Sequence, residues 1–241
     1  MLHDRPTSTT SSRTPAGHTP DSASASSSAR GRLLRWATSW QAILVAVLAV
    51  VLAVHIPTFD YWFYNDDYVP FAEIAEADTT WEYIWRLLLV QDVTPNWRVV
   101  PGIVYLLGYK TFGMEPLPYH FVSVGFHLGT SALIFHFLRR TTGHAWPGVL
   151  GAVIFGLNPT HVFTVAQITS LNNVLGAFFA IATLVLIYES VRVERRRALF
   201  DVLAILSFIL AVTSNESMAG LAPVYALTFL FWDDRERFID R

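Results

Sequence analysis

The 241 residues include no cysteine, which excludes disulfides, thiolate metal sites and a cysteine nucleophile. Charge is scarce too. Asp, Glu, Lys and Arg make up 15% of the chain against 53% hydrophobic residues, and the mean hydropathy is +0.39, too apolar for an ordinary water-soluble domain. The net charge of −2 says nothing about nucleic acid, and with no basic face left over once the loops are assigned no nucleic-acid partner is expected. Internal repeats are absent, and the apolar runs are almost free of ionisable residues, whereas a transporter is expected to carry both mid-bilayer charge and repeats.

What is abundant comes in blocks. A membrane-spanning helix needs roughly 20 mostly apolar residues, and six stretches approach that: 41–57, 118–138, 147–167, 171–188, 198–213 and 217–232. The expected fold is therefore all-α: a polytopic transmembrane helical bundle of about six spans over residues 40–232. Residues 1–39, rich in Ser, Thr and Pro, cannot bury enough apolar surface to order themselves and are expected to form a disordered cytoplasmic tail. The first apolar block begins too late in the chain for a cleavable signal peptide, so it is expected to be a retained anchor. Residues 233–241 form a short charged tail.

Basic residues orient the bundle. Of 17 Lys and Arg, all but Arg86, Arg98 and Lys110 precede the first block, follow the second, separate the fourth from the fifth, or follow the sixth. Since basic loops stay in the cytoplasm, both termini are expected there, in an integral protein of the cell inner or plasma membrane. Three regions then face outward: the long loop 58–117, the "NPTH" region near 158–170 and "SNES" at 214–217. Within the long loop, Trp81, Ile84, Trp85, Leu88 and Leu89 recur at helical spacing behind a Thr79 or Thr80 cap, which predicts an amphipathic interfacial helix. Residues 99–112 are too short a run to span and are expected to form a second interfacial helix.

Polar residues on that outer side are the candidates for chemistry. In "FYNDDYVPF", Asp66 and Asp67 stand among aromatic residues; such a pair suits a general base with a supporting carboxylate, while a polar turn is the plain alternative. Arg98 can hold a phosphate through its fork of donors or snorkel to the headgroups. His161 can contact a sugar or phosphate or cap a helix end. Glu216 can face the bundle interior or complement a helix N-terminus. His120 and His127 share a helix face, but no carboxylate completes a metal set, so no metal ligand is assigned.

The ordered series "YNDDY", "NWRVVP", "YHFVSVGFHLGTSALIFHFL", "GAVIFGLNPTHVFTVAQITSLNNVLGAFFAIATLVLIY" and "SNESMAGLAPVYALTFLF" resembles the N-terminal membrane half of GT-C glycosyltransferases. Most similar are the protein O-mannosyltransferase-like proteins that carry tetratricopeptide repeats. The resemblance covers about residues 40–232. It implies a polyprenyl-phosphate-linked sugar donor, action on the outer face, an acceptor that is protein, lipid or glycan, membrane lipid as a partner, and a catalytic Asp in the first outer loop, at Asp66 or Asp67. It carries over Arg98 and Pro101 from "WRVVP", Pro159 and His161 from "NPTH", and Glu216 from "SNES" as donor-phosphate or substrate contacts. It leaves a divalent metal open. Asn172 and Asn173 depart from it, standing where relatives have a basic–acidic pair. The chain also has fewer apolar blocks than such enzymes, which predicts a fragment, a split gene or a reduced member. A non-catalytic membrane scaffold or a transporter-like fragment is the competing function class.

Overall fold

The computed structural model describes residues 39–89 and 98–228, without the side chain of Glu194. All of them but Ser39 belong to one compact unit that begins at Trp40. The two tails, the stretch 90–97 of the long loop and the end of the sixth block lie outside the described residues.

Among the described residues every regular element is helical. The main helices are α1 (Trp40–His55), α2 (Val69–Glu76), α3 (Thr80–Leu89), α4 (Val99–Phe112), α5 (Pro116–Thr142), α6 (Ala145–Gly156), α7 (Pro159–Ala166), α8 (Leu171–Arg192) and α9 (Arg197–Ser214). Short 3-10 turns join them at Ile56–Asp60, Asn65–Tyr68, Ile168–Ser170, Glu194–Arg196 and Glu216–Leu221, the last running into helix at 222–228.

Of the six expected spans, four or five are present among the described residues. Trp40–Asp60, Pro116–Thr142, Ile168–Arg192 and Arg197–Ser214 are long and apolar enough to cross a membrane; α6 and α7 make a fifth only if the pair, bent by 57°, counts as one span. The reason for the break is chemical. Pro159 has no N–H to donate to the Phe155 carbonyl four residues back, so the helix cannot continue through it, and Asn158 caps a new one by accepting from the Thr160 amide at 3.0 Å. The sixth block opens as the 3-10 turn Glu216–Leu221, and its end lies outside the described residues. Four or five such helices fit an integral membrane protein, as do the bare apolar outer faces of α1 at Val45 and Val50 and of α9 at Val202, Ile205 and Ile209.

Helix α8 packs along α9 and α5, while α6 runs along α5. The approach of α6 to α5 needs glycine: a Cβ on Gly148 would stand 2.7 Å from the Phe135 carbonyl oxygen. At one end of the bundle the Arg139 guanidinium sits 4.1 Å over the Trp40 ring, and Arg140 forms a two-pronged ion pair with Glu189 at 3.0 Å. The starts of α1 and the ends of α5 and α8 therefore share an end, and the arginine-rich segments gather there. The opposite end carries the loop 56–76, the start of α5 and the turn before α8, joined by His120, which donates from Nε2 to the Tyr61 carbonyl at 3.1 Å.

Helix α4, at 14 residues, rises about 21 Å and falls short of a hydrocarbon core of about 30 Å. It packs instead on α2, α3, α8 and α9. Its tyrosines and Tyr119 of α5 build an aromatic core with the first loop: Phe63 lies 5.1 Å from Phe71, and Phe71 lies 5.2 Å from Tyr119, ring to ring. The α3 face divides differently from the sequence pattern. Tyr83 is buried and Ile84 and Leu87 pack inward, leaving Trp81 and Leu89 bare at 63% and 68% exposure. Thr79 caps this helix, accepting from the Glu82 amide at 3.1 Å.

Candidate functional site

The arginine-poor end holds a cavity of about 810 Å³. Its walls come from the turn Asn65–Tyr68, helices α2 and α3, the start of α4, the segment 167–173 and the segment 215–217. Asp66, Arg98 and Glu216, far apart in sequence, all line it. Asp66 is exposed at the surface of the turn and Arg98 is half-buried at the N-cap of α4. The guanidinium is close enough to bear on the phenol of Tyr105: burial pushes that phenol up, the Asp67 charge adds to the shift, and Arg98 opposes it.

Asp67 has a different place from its neighbour. It is 1% exposed and does not line the cavity. Its Oδ1 accepts from the Thr169 amide at 2.8 Å and from the Thr169 hydroxyl at 3.0 Å, and its Oδ2 accepts from the Tyr64 amide at 3.1 Å. Two donors from Thr169 thus fasten the loop 56–76 to the turn before α8, 102 residues away, and the Tyr64 amide fixes the carboxylate within its own loop. This clasp sets the position of the turn that carries Asp66. Asn65 takes φ 49° within it, a left-handed conformation that Asn tolerates better than most residues.

The rest of the lining divides by charge. Glu73 and Glu76 of α2 and Arg86 of α3 stand together; burial first, then the Glu76 charge, push the Glu73 carboxyl up, against an opposing pull from Arg86. The segments 167–173 and 215–217 bring a neutral wall of amides and hydroxyls: Gln167, Thr169, Ser170, Asn172, Asn173, Asn215 and Ser217. Some of these are tied to one another. Asn215 Nδ2 donates to Asn173 Oδ1 at 2.7 Å, Asn215 Oδ1 accepts from the Ser217 amide at 3.0 Å, and Ser170 donates to Gln167 Oε1 at 3.0 Å. Sequence reasoning singled out Asn172 and Asn173 only as departures and missed the others. The signal was the polar run "QITSLNN" at the head of an apolar block.

His161 is not at the cavity. It lies at the α6–α7 break, where its Nδ1 donates to the Phe155 carbonyl at 2.9 Å, the carbonyl that Pro159 leaves without a helical donor. His127 on α5 donates from Nε2 to the next carbonyl, Gly156, at 3.2 Å, and its ring lies 4.7 Å from that of His55. These histidines close a broken helix. Among the described residues no group of three or more His, Asp or Glu is disposed to hold a metal.

The cavity can therefore present a solvent-facing carboxylate, a guanidinium and a bank of neutral hydrogen-bonding groups to one ligand. Comparison with family models, with curated proteins and with solved structures returns no match to this chain.

Proposed function

We propose that this protein is a membrane glycosyltransferase of the GT-C, O-mannosyltransferase-like kind, moving a sugar from a polyprenyl-phosphate donor to an acceptor hydroxyl on the extracytoplasmic face. The observation that carries this reading is the meeting of Asp66, Arg98 and the amide–hydroxyl wall in one cavity at the arginine-poor end of the bundle. A sugar phosphate asks for those three things: a base for the acceptor, a cation for the leaving phosphate, and neutral hydrogen-bond partners for ring hydroxyls.

In this mechanism Asp66 takes the proton of the acceptor hydroxyl as its oxygen attacks the anomeric carbon. The bond from that carbon to the phosphate oxygen breaks, the phosphate leaves with the electron pair, and the anomeric centre inverts. Arg98 meets the growing phosphate charge through its fork of N–H donors. Asp67 acts through the backbone, holding the turn. Glu216, exposed on its own turn, belongs to the substrate side of the cavity rather than to the reacting atoms.

The test is transfer of labelled sugar from a polyprenyl-phosphate donor in membranes expressing the chain. Asp66→Asn keeps the volume and cannot take a proton, so transfer is expected to fall about 100-fold to 10,000-fold. Wild-type transfer by the Asp66→Asn, Asp67→Asn double variant would sink the catalytic reading and leave a membrane scaffold.

A further inference from the structure

Three helices each bring one histidine to the α6–α7 break. His55 ends α1, His127 lies within α5 and His161 sits in the first turn of α7. The rings of His55 and His127 are 4.7 Å apart and those of His127 and His161 are 5.7 Å apart. His55 and His127 are 0% and 3% exposed. A Cβ on Gly156 would run into the Val51 side chain, so α1 and α6 leave no slack beside the rings.

Each ring has one nitrogen on a backbone carbonyl: His55 Nδ1 on Val51 at 2.9 Å, His127 Nε2 on Gly156 at 3.2 Å and His161 Nδ1 on Phe155 at 2.9 Å. A carbonyl only accepts, so those nitrogens carry the ring proton, and the opposite ones are proton-free in the neutral ring. His55 Nε2 is buried and meets no partner among the described residues. A second proton there would be an N–H with nothing to receive it, and charging neighbouring rings would set like charges 4.7 Å or 5.7 Å apart away from water. A cation on His161, in the first turn of a helix, would also oppose the helix dipole.

The surrounding elements supply no counter-charge. Helix α6 has no titratable residue, α7 none but His161 and α1 none but His55, and the charges that bear on His127 are those of the other two histidines. Asp60, on the turn after α1, is exposed. Asp67 bears on His120, two turns before His127, and its oxygens are held by Thr169 and Tyr64. Arg98 of α4 lines the cavity and Lys110 is exposed, while His136 and Arg140 of α5 meet Glu189 of α8 at the opposite end of the bundle.

We propose that His55, His127 and His161 form a proton-sensitive latch: neutral, they hold α1, α5 and the α6–α7 break together, and protonation releases the break and with it α7. The latch bears on the cavity, because α7 runs directly into the turn that brings Gln167, Thr169 and Ser170 to its wall. It stands independently of the transferase reading. The opened junction binds protons that the closed one excludes, and an exposed imidazole takes its proton at about pH 6.5. The closed form is therefore favoured in full above that pH and loses ground as pH falls below it.

The test is hydrogen exchange, read by mass spectrometry on the full chain in nanodiscs at about pH 7.5 and about pH 5.5, on either side of the imidazole range, with each rate corrected for the intrinsic chemistry of the amide. Protection of 153–170 is expected to fall at the lower pH by about tenfold for each histidine that charges. Asn places its NH2 where a histidine has Nδ1, and Gln places its NH2 where a histidine has Nε2. The variant His55→Asn, His127→Gln, His161→Asn thus keeps all three donors without the charge and is expected to hold its protection. An equal loss in that variant, no loss in the wild type, or a loss shared equally by α8 and α9 overturns the latch. Should the triple variant fail to run as a single species on size exclusion, His55→Asn alone is expected to recover about tenfold, and no recovery overturns the proposal. Nitrogen NMR of the wild-type histidines needs no variant: three rings that stay neutral at about pH 6 support the latch, and titration of all 8 histidines together at about pH 6.5 sinks it.

Discussion

Asp66 and Asp67 are adjacent in sequence and opposite in environment. The 3-10 turn Asn65–Tyr68 sends one carboxylate to the cavity and the other inward onto Thr169. Residue type alone does not separate them, because the partner that distinguishes Asp67 lies 102 positions away. The clasp has a measurable cost of removal. In Asp67→Asn one amide oxygen can still accept from Thr169, but the NH2 then meets the Tyr64 N–H, donor against donor. A buried donor left unsatisfied costs about 1–3 kcal/mol, so the thermal midpoint in detergent is expected to drop; in Asp67→Ala, which removes both acceptor oxygens, added Thr169→Val is expected to lower it by less than its own single effect. Full additivity of the two would mean that they do not act as one clasp. Arg98 and Glu216 were legible as candidates for the opposite reason: in a chain this apolar, few outward polar residues exist to choose from.

At the scale of elements, the broken α6–α7 pair shows how a proline and two histidines are matched. Pro159 removes the N–H that Phe155 would receive, and His161 restores a donor at 2.9 Å. His161→Leu is expected to destabilise the fold by about 1–3 kcal/mol through the unpaired carbonyl. Adding Pro159→Ala returns an N–H four residues after Phe155 and is expected to recover part of the loss; a further drop in thermal midpoint in the double variant would show that the histidine's role is not this hydrogen bond. The apolar block 147–167 reads as continuous because hydropathy counts side chains, whereas the bend comes from a missing backbone donor. Helix α3 was legible as amphipathic, with Thr79 or Thr80 as its cap, and the structure gives the role to Thr79. Which of its apolar residues turn inward depended on α4: a Cβ on Gly102 would stand 2.5 Å from Leu87, so the two helices meet where α4 has no side chain.

For the molecule as a whole, the separation of ends is the main result. Arg139, Arg140 and Arg192 mark one end, the last with its guanidinium 4.7 Å over the Tyr188 ring; the cavity occupies the other. The orientation follows as a proposal from the basic-loop bias, and the chain's lack of cysteine gives a clean background for testing it. A cysteine at Ala75, exposed on α2, is expected to react with a membrane-impermeant thiol reagent in intact cells, and one at Arg195 only after lysis. The reverse pattern would turn the cavity to the cytoplasm and remove the extracytoplasmic assignment.

By itself the sequence determined that the protein is all-helical with apolar helices of membrane-spanning length, because the apolar runs are local quantities that the length of a span reads directly. The number of spans, the inward turn of Asp67 and the convergence of the 167–173 and 215–217 segments on Asp66 and Arg98 were decided by tertiary structure. These depend on which backbone groups lose their helical partner, and on side chains up to 102 residues apart meeting in one buried place, which no periodicity within a single segment encodes.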